Sequence, residues 1–194
     1  LKKKERRIVT IVDPHIKVDP DFYVYKEANE QNLFIRNKKG ENYEGECWPG
    51  KSSWIDFLND DAKVFWAGLF AYDKYKYSDP YLHIWNDMNE PAVFKVPEDT
   101  MPKENIHKIK GKSIPHSFVK NIYGLQQAMA SFNGLIERNA YDEQTRPLIL
   151  TRSFFAGVQK YAAVWTADSE STWKYLRAQI PMMLTFSICG QAYC

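Results

Sequence analysis

The sequence predicts an α/β fold built on a parallel sheet. Short apolar runs rich in β-branched and aromatic residues alternate along the chain with longer amphipathic segments, and polar side chains follow the runs directly. Open doubly wound sheets and (β/α)8 barrels both place their sites at strand carboxyl ends, so the alternation alone leaves both architectures open. A barrel usually needs about 250 residues. The 194-residue chain offers four clear strands and a weaker one over residues 186–193, so we expect a partial (β/α)8 barrel.

The first half of the chain contains two of these strands and one helix. Residues 8–12 read Ile-Val-Thr-Ile-Val, which predicts a buried strand that ends at Asp13. Residues 61–72 predict a helix with Phe65, Leu69 and Tyr72 on one face. Residues 81–87 are aromatic and β-branched between two proline-bearing turns, which predicts a short buried strand.

The second half continues the alternation. Strands are predicted at residues 148–151 and 161–165, and a helix is predicted over residues 169–185, which Pro181 should kink or end. Before them, apolar residues recur at steps of three and four and predict a long helix. Its apolar stripe is interpreted as core and comprises Phe118, Ile122, Leu125, Met129, Phe132 and Ile136.

Two segments interrupt this order. Residues 19–47 contain extended aromatic runs at 22–25 and 33–36 and predict a β-hairpin excursion that returns at Cys47-Trp48-Pro49-Gly50. We expect one partial barrel domain over residues 1–194, with residues 19–60 inserted in it as a hairpin and loop excursion. Residues 95–115 lack periodicity and predict a loop, either a lid or a tolerated insertion.

Composition excludes several function classes. The chain is 44% hydrophobic but contains no apolar run of membrane-spanning length, and nothing at its start has the pattern of a signal peptide. A net charge of +2 with mixed signs gives no case for a nucleic-acid partner. Cys47, Cys189 and Cys194 are an odd number without metal-ligand spacing, and the His residues are scattered, so we expect no metal and no cofactor. Aromatic residues make up 15% of the chain, which is compatible with sugar stacking.

The strand at residues 81–87 carries the first candidate for chemistry. Alternation places His83, Trp85 and Asp87 on one side, with the carboxylate at the strand end beside an aromatic ring that can stack on a sugar. Such a carboxylate suits nucleophilic attack or stabilisation of a cationic transition state. The alternative is a structural Asp that caps the following turn.

Two further strand ends carry charged side chains. Arg152 follows Leu148 and Leu150 on one side of its strand and can donate a fork of hydrogen bonds to a carboxylate or a sugar hydroxyl; the alternative is a surface Arg in a turn. Asp168 stands three residues after Trp165, so the chain must turn if both are to face one pocket; the alternative is a helix N-cap. Two strand-end carboxylates are what glycoside hydrolysis requires, one as acid and one as nucleophile or base.

Four blocks in order carry a family resemblance. The heptapeptide that begins at Trp85, Trp-Asn-Asp-Met-Asn-Glu-Pro, resembles the signature of glycoside hydrolase family 31. Cys47-Trp-Pro-Gly, Arg152-Ser-Phe-Phe-Ala-Gly and Val164-Trp-Thr-Ala-Asp are similar to its companion blocks in the same order. Within the family, residues 11–17 and 121–125 look most like the members that trim glucose from N-linked glycans in the endoplasmic reticulum.

The resemblance implies a retaining α-glucosidase on a (β/α)8 barrel, with Asp87 as nucleophile and Asp168 as general acid/base. Arg152 is expected to favour ionised Asp87, while burial and a second negative charge are expected to keep a proton on Asp168. The pocket for a terminal glucose is expected to comprise Trp48, Trp85, Met88, Phe94, Arg152 and Trp165. The resemblance further implies a carbohydrate substrate, a noncatalytic β subunit as partner and the endoplasmic reticulum lumen as location, with no nucleic-acid or membrane partner.

The chain departs from the family pattern near Asp168. The family commonly has Gly at position 167 and Asn or a similar residue at position 169, whereas this chain has Ala167 and Ser169, and Ala167 is expected to strain the turn that aims Asp168. The resemblance also implies further sugar-binding carboxylates outside residues 1–194. The alternatives are another family 31 enzyme (a lysosomal-type or cytosolic α-glucosidase, or an α-xylosidase), a non-catalytic glycan-binding protein, or an inactive fragment.

Overall fold

The computed structural model describes residue 4, residues 6–139 and residues 146–193. In chain order its strands are β1 (Ile8–Val12), β2 (His15–Lys17), β3 (Glu44–Cys47), β4 (Gly50–Trp54), β5 (Leu82–Asn86), β6 (Ile106–Ile109), β7 (Lys112–Pro115), β8 (Ile149–Thr151) and β9 (Ala163–Val164). Its helices are α1 (Tyr23–Glu30), α2 (Asp60–Gly68), α3 (His116–Val119), α4 (Tyr123–Arg138) and α5 (Trp173–Ile188). Short 3-10 segments lie at Pro97–Asp99, Lys120–Ile122 and Val158–Lys160.

The four predicted strands form one parallel sheet in the order β1-β5-β8-β9. The α2 and α4 helices lie in the β1–β5 and β5–β8 connections, as in consecutive units of a (β/α)8 barrel. The weaker strand predicted at residues 186–193 does not start at residue 186, because α5 extends to Ile188. In the described part of this segment, Tyr193 makes an isolated parallel bridge to Val164, and the Val164 N–H donates to the Ala192 carbonyl oxygen at 2.8 Å.

The two faces of this sheet differ in burial. Ile84, Ile149 and Val164 point to the helix side and are fully buried. On the opposite face Ile11 is 53% exposed, and Trp85 and Leu150 are partly exposed. Alternation places Asp87 on the same face as Trp85, and Arg152 on the same face as Leu150. The candidate site therefore lies on this second, open face, at the carboxyl ends of its strands.

The predicted apolar stripe of the long helix is only partly confirmed as core: Ile122, Leu125 and Phe132 pack against the core, but the fully buried face lies elsewhere. Phe118 is 82% exposed and precedes α4, and the other five stripe residues are only partly buried. A Cβ on Gly134 would lie 2.6 Å from the carbonyl oxygen of Ala67, so α4 approaches α2 too closely for large side chains. The buried face of α4 therefore consists of small and polar residues with two larger ones: Tyr123, Gly124, Gln127, Ala128, Ala130, Ser131, Gly134 and Leu135.

The α2 helix also turns a different face inward. It ends at Gly68 rather than at residue 72, and Asn59 caps its start by accepting a hydrogen bond from the Asp61 N–H. Its buried residues are Ala62, Trp66 and Ala67, whereas Phe65 and Leu69 are partly buried and Tyr72 is exposed. The Trp66 Nε1–H donates to Ser131 Oγ at 2.9 Å, which fixes the register of α2 on α4.

The hairpin predicted within residues 19–47 lies elsewhere. Residues 22–25, predicted as a strand, enter α1, because Val24 and Ala28 are four residues apart and bury one helix face. The observed hairpin is β3–β4, and β2 joins it to make an antiparallel sheet in the order β2-β4-β3. Residues 33–36 make only isolated bridges. The insertion boundaries at residues 19 and 60 stay a prediction.

The predicted loop at residues 95–115 contains a second hairpin, β6–β7. A buried hydrogen-bond chain ties it to the core: Asp56 Oδ1 lies 2.6 Å from His107 Nδ1, and His107 Nε2 lies 2.8 Å from His116 Nδ1. Burial, with a smaller contribution from His107, lowers the pKa of His116 to about 3, so this imidazole is neutral. The hairpin is therefore a fixed part of the fold.

The last helix corrects the prediction for residues 169–185. Thr172 is the N-cap of α5 and accepts a hydrogen bond from the Tyr175 N–H at 3.4 Å, so the helix begins at Trp173. It continues through Pro181 to Ile188 rather than ending there. Among the described residues, no helix has both the length and the apolar character needed to cross a membrane.

Candidate active site

Arg152, which follows β8, contacts two acidic side chains that follow the neighbouring strand β5. The register of β5 and β8 pairs Asn86 with Thr151, so Asp87 and Arg152 follow side by side. Arg152 Nη1 lies 3.2 Å from Asp87 Oδ1, while Nε and Nη2 donate to the two Glu90 carboxylate oxygens at 2.8 and 2.7 Å. The pKa of Arg152 is raised, first by its hydrogen bonds to Glu90 and then by the charges of Glu90, Asp87 and Asp168. Arg152 is therefore a fixed cation between two carboxylates.

The turn after Asp87 is held by a buried polar network. Asn89 Nδ2 donates to Thr151 Oγ1 at 2.9 Å, and the Ser153 N–H donates to Asn89 Oδ1 at 2.8 Å. Met88 has φ +56°, and its N–H donates to Asp87 Oδ1 at 2.8 Å. The left-handed backbone of Met88 and the two hydrogen bonds of the Asn89 amide therefore fix the Asp87 carboxylate and the start of the Arg152 loop relative to each other.

The second candidate carboxylate has a different setting. Trp165, at the end of β9, packs edge to face on Trp85 with ring centroids 4.8 Å apart. Asp168 follows Ala167, which has φ +111°, and is exposed rather than buried as expected. Because Thr172 caps α5, the helix N-cap alternative for Asp168 is excluded. The charge of Asp168 is the last of the contributions that raise the pKa of Arg152. A position for Asp168 in one pocket with Trp165 stays a prediction.

Four of the predicted pocket residues line one open cleft. Trp48, Met88, Phe94 and Arg152 border a cavity of about 660 Å³, and the Trp48 and Phe94 rings meet edge to face with centroids 4.8 Å apart. A slightly larger cavity of about 700 Å³ lies between loops near Asn37 and Glu104. None of the predicted site residues lines it, so cavity volume does not identify the site.

Sequence reasoning missed two acidic residues of this region, Glu90 and Asp13. Glu90 stands in the heptapeptide but was assigned no contact, although Arg152 holds it with two hydrogen bonds. Asp13 follows β1 on the same face as Ile11, and the alternation used for Asp87 would have found it. Burial, then the charge of Asp87, raises the pKa of Asp13 to about 6, against a lowering contribution from Arg152.

The cysteines and histidines form no metal centre within the described ranges. No group of three or more His, Cys, Asp or Glu residues in these ranges is arranged to hold a metal ion. Cys47 is buried beside the site as a free thiol, and burial raises its pKa to about 11. Cys189 is exposed and free, and Cys194 lies outside the described residues.

Comparisons with known proteins give one family. A family model described as the glycosyl hydrolases family 31 TIM-barrel domain matches residues 1–194. The chain is 50% identical over 194 residues to neutral alpha-glucosidase C of Macaca fascicularis, which covers all of this chain and 25% of that protein.

Solved structures agree with the sequence match. A crystal structure of the glucosidase II alpha subunit with Tris bound matches with a TM-score of 0.90 at 43% identity. The match covers 98% of the present chain and 20% of the alpha-subunit chain. A crystal structure of the heterodimeric complex of endoplasmic-reticulum glucosidase II, which contains the catalytic subunit and the binding domain of the regulatory subunit, matches with a TM-score of 0.89 at 43% identity. This match covers 97% of the present chain and 20% of the matched chain. The chain therefore spans a fifth to a quarter of the length of these relatives.

Proposed function

The chain belongs to glycosyl hydrolase family 31, and we propose that it forms the nucleophile-bearing part of a retaining α-glucosidase. The observation that carries this proposal is the Arg152 bridge between Asp87 and Glu90 at the carboxyl ends of β5 and β8. A carboxylate held by a fixed cation at the end of a barrel strand, with aromatic rings beneath it, is suited to attack at a sugar carbon that develops positive charge.

In the proposed first step, an Asp87 oxygen forms a bond to the anomeric carbon of the terminal glucose. The bond from that carbon to the leaving oxygen breaks, and its electron pair stays on the oxygen, which takes a proton from Asp168. The product is a glycosyl ester on Asp87. Arg152 keeps the second Asp87 oxygen oriented while the first one reacts.

In the second step, a water molecule attacks the same carbon and gives a proton to Asp168. The ester bond breaks and its electrons return to Asp87, so both carboxyl groups regain their starting protonation. Two displacements at one carbon retain its configuration. A retaining enzyme needs the two carboxyl groups about 5 to 5.5 Å apart.

The glucose pocket is proposed to use the aromatic side chains at this face. Trp85 and Trp165 pack edge to face at the strand ends, and Trp48, Met88 and Phe94 line the open cleft. Flat rings offer apolar faces to the C–H groups of a sugar, while Arg152 supplies hydrogen-bond donors. Trp48 is 70% exposed, which suits a residue that contacts ligand.

The finer proposal concerns the natural substrate and its cellular setting. We propose glucose removal from N-linked oligosaccharides in the endoplasmic reticulum lumen, together with a noncatalytic regulatory subunit. It is supported by the similarity to a glucosidase II complex that contains the binding domain of a regulatory subunit. The test is release of glucose from a glucosylated high-mannose glycan by the full-length protein; preference for maltose over that glycan would contradict it.

The catalytic proposal is tested in the full-length protein with an aryl α-glucoside. Proton NMR should show the α-anomer of glucose as first product, and Asp87→Ala should lower turnover at least about 1000-fold. Asp168→Ala should retain attack on the activated aryl glucoside and recover turnover when azide replaces water. The exposed Asp61→Ala is the matched control. Turnover at the wild-type rate in Asp87→Ala, or release of the β-anomer, would refute the assignment.

A further inference from the structure

Asp13 lies beside the proposed nucleophile on the neighbouring strand. In the parallel pairing of β1 and β5, Ile11 lies opposite Trp85 and Val12 opposite Asn86. Asp13 and Asp87 each follow by one residue, so they continue the same register on strands about 4.8 Å apart. Both side chains belong to the open face of the sheet, and their two carboxyl groups lie at the same end of it.

Among the described residues, no Lys or Arg side chain forms an ion pair with the Asp13 carboxyl group. Its side chain is 23% exposed, and Oδ1 is buried without a hydrogen-bond partner. Oδ2 lies 3.6 Å from His15 Nε2, which is too long for a hydrogen bond. Burial lowers the pKa of His15 to about 4, so the imidazole is neutral and the contact is not an ion pair.

Four neighbouring elements each contribute one charged or titratable side chain near Asp13. Asp87 follows β5, Arg152 follows β8, His15 lies in β2, and Cys47 ends β3. Arg152 directs its fork to Glu90 and its remaining nitrogen to Asp87. The buried thiol of Cys47 stays protonated, because burial raises its pKa to about 11. Asp87 is thus the acidic neighbour of Asp13.

A purely structural role does not account for this arrangement. A structural Asp at a strand end normally accepts hydrogen bonds from the backbone N–H groups of the turn that follows. In the described ranges, no backbone or side-chain donor serves either oxygen of Asp13, and a buried oxygen without a partner lowers stability. A negative charge next to the proposed nucleophile lowers stability, but it can stabilise a positive charge on a molecule bound in the pocket.

We propose that Asp13 supplies a second fixed negative charge beside Asp87, which stabilises the positive charge that develops on the sugar during glycosidic bond cleavage. The proposal rests on the proposed function and deepens it. Attack by Asp87 consumes the negative charge of the nucleophile as the new bond forms, whereas Asp13 keeps its charge throughout both steps. A fixed charge in a partly dry site acts without reorganisation at the moment of reaction.

Protonation of Asp13 should then remove this contribution. Because burial and Asp87 raise the pKa of Asp13 to about 6, it is mainly ionised at pH 7 and mainly protonated at pH 5. The substitution Asp13→Asn has the charge and shape of the protonated form at every pH. Wild type and Asp13→Asn should therefore differ at pH 7 and converge at pH 5.

Two measurements on the full-length protein test this. With a neutral α-glucoside, kcat/KM of wild type should exceed that of Asp13→Asn about tenfold at pH 7, the effect of one charge several ångströms away in a partly solvated site. The ratio should approach one at pH 5. By calorimetry at pH 7, Asp13→Asn should weaken binding of the protonated iminosugar 1-deoxynojirimycin about tenfold relative to binding of neutral glucose. Asp61→Asn, an exposed substitution, is the matched control.

The outcomes separate the two proposals. A ratio of kcat/KM that stays constant with pH, or equal weakening of iminosugar and glucose, would show a structural role for Asp13 and overturn the inference. A wild type that neither cleaves α-glucosides nor binds either ligand would overturn the proposed function instead. If Asp13→Asn folds poorly, Asp13→Glu provides the second test, because it keeps the charge and should keep the iminosugar preference.

Discussion

The ends of β5 and β9 hold the two proposed catalytic carboxylates in opposite ways. Asp87 accepts a hydrogen bond from the Met88 N–H and contacts Arg152, in a turn tied to β8 through Asn89. Asp168 is exposed, in a segment that follows a left-handed Ala167. The proposed nucleophile is fixed by groups within this chain, whereas the proposed acid/base depends on a strained turn.

The difference corresponds to what each group has to do. A nucleophile must meet one carbon along one line, so misplacement by about 1 Å costs about 100-fold in rate. An acid/base moves a proton in both steps and must also meet the incoming water. Changes at the β5 end should therefore lower the rate for every substrate, and changes at the β9 end should matter most where the leaving group needs a proton.

Among substitutions of the groups that hold the two carboxylates, the largest effect is expected from Glu90→Gln. The amide keeps the shape of the side chain but removes the charge that holds two nitrogens of Arg152, so the guanidinium can turn fully to Asp87 and draw it from its attacking position. Loss of charged hydrogen bonds of this kind should lower kcat/KM by about 10- to 100-fold. Steady-state kinetics with an aryl and an alkyl α-glucoside should show equal losses.

Glu98→Gln is the control for Glu90→Gln. Glu98 lines the same cleft, but its contact is an exposed ion pair with Lys103 at 3.8 Å. Its substitution should change kcat/KM less than twofold. Equal effects of the two substitutions would mean that the net charge of the cleft matters and that the Arg152 bridge does not.

Asn89→Ala should have the next largest effect. It leaves the Ser153 N–H and Thr151 Oγ1 without their buried partner, which should lower the free energy of unfolding by about 2 kcal/mol. Because a Cβ on Gly124 would lie 2.6 Å from the Ser153 carbonyl oxygen, the loop has little room to relax. Urea denaturation and kcat/KM should both fall, and the exposed Asn121→Ala should change neither.

The contact between Asp87 and Arg152 could be predicted from sequence, because parallel strands bring their carboxyl ends to one edge. The partner of Glu90 could not, because the path of its turn depends on the positive φ of Met88, which no side-chain pattern encodes. The core face of α4 was misread for a related reason. Large apolar residues suggested one stripe, but close packing on α2 at Gly134 selects small residues. Alternation along a strand predicts which face of the sheet a side chain lies on. It does not predict contacts that depend on the path of a turn or on how closely two helices pack.

Asp13→Asn should raise stability at neutral pH, because Asp13, at the end of the neighbouring strand β1, lacks the hydrogen bonds that hold the groups at the β5 end. The folded-state pKa of Asp13 is about 6, above its ordinary value of 3.8, so the folded state favours the protonated form. The ionised form therefore lowers stability progressively as pH rises from about 4 through 6. Asp13→Asn should gain about 1 kcal/mol at pH 7 and nothing at pH 4, measured as Tm at both values. A gain that persists at pH 4, or that Asp61→Asn shares, would contradict it.

The smallest effect is expected from Ala167→Gly at the β9 end. A Cβ at φ +111° is strained, and we expect this strain to make the turn that aims Asp168 less stable. Glycine should allow the aimed conformation and raise kcat/KM about threefold for an alkyl glucoside, whose leaving group needs a proton, while the rate for an activated aryl glucoside stays unchanged. Stability should change little, since relief of strain offsets the greater freedom of glycine in the unfolded chain. The control Ala71→Gly, which has no positive φ and lies outside the site, should leave the ratio of the two rates unaltered. If both substrates gain equally, the turn limits a step other than proton transfer, and the contrast between the two strand ends does not hold.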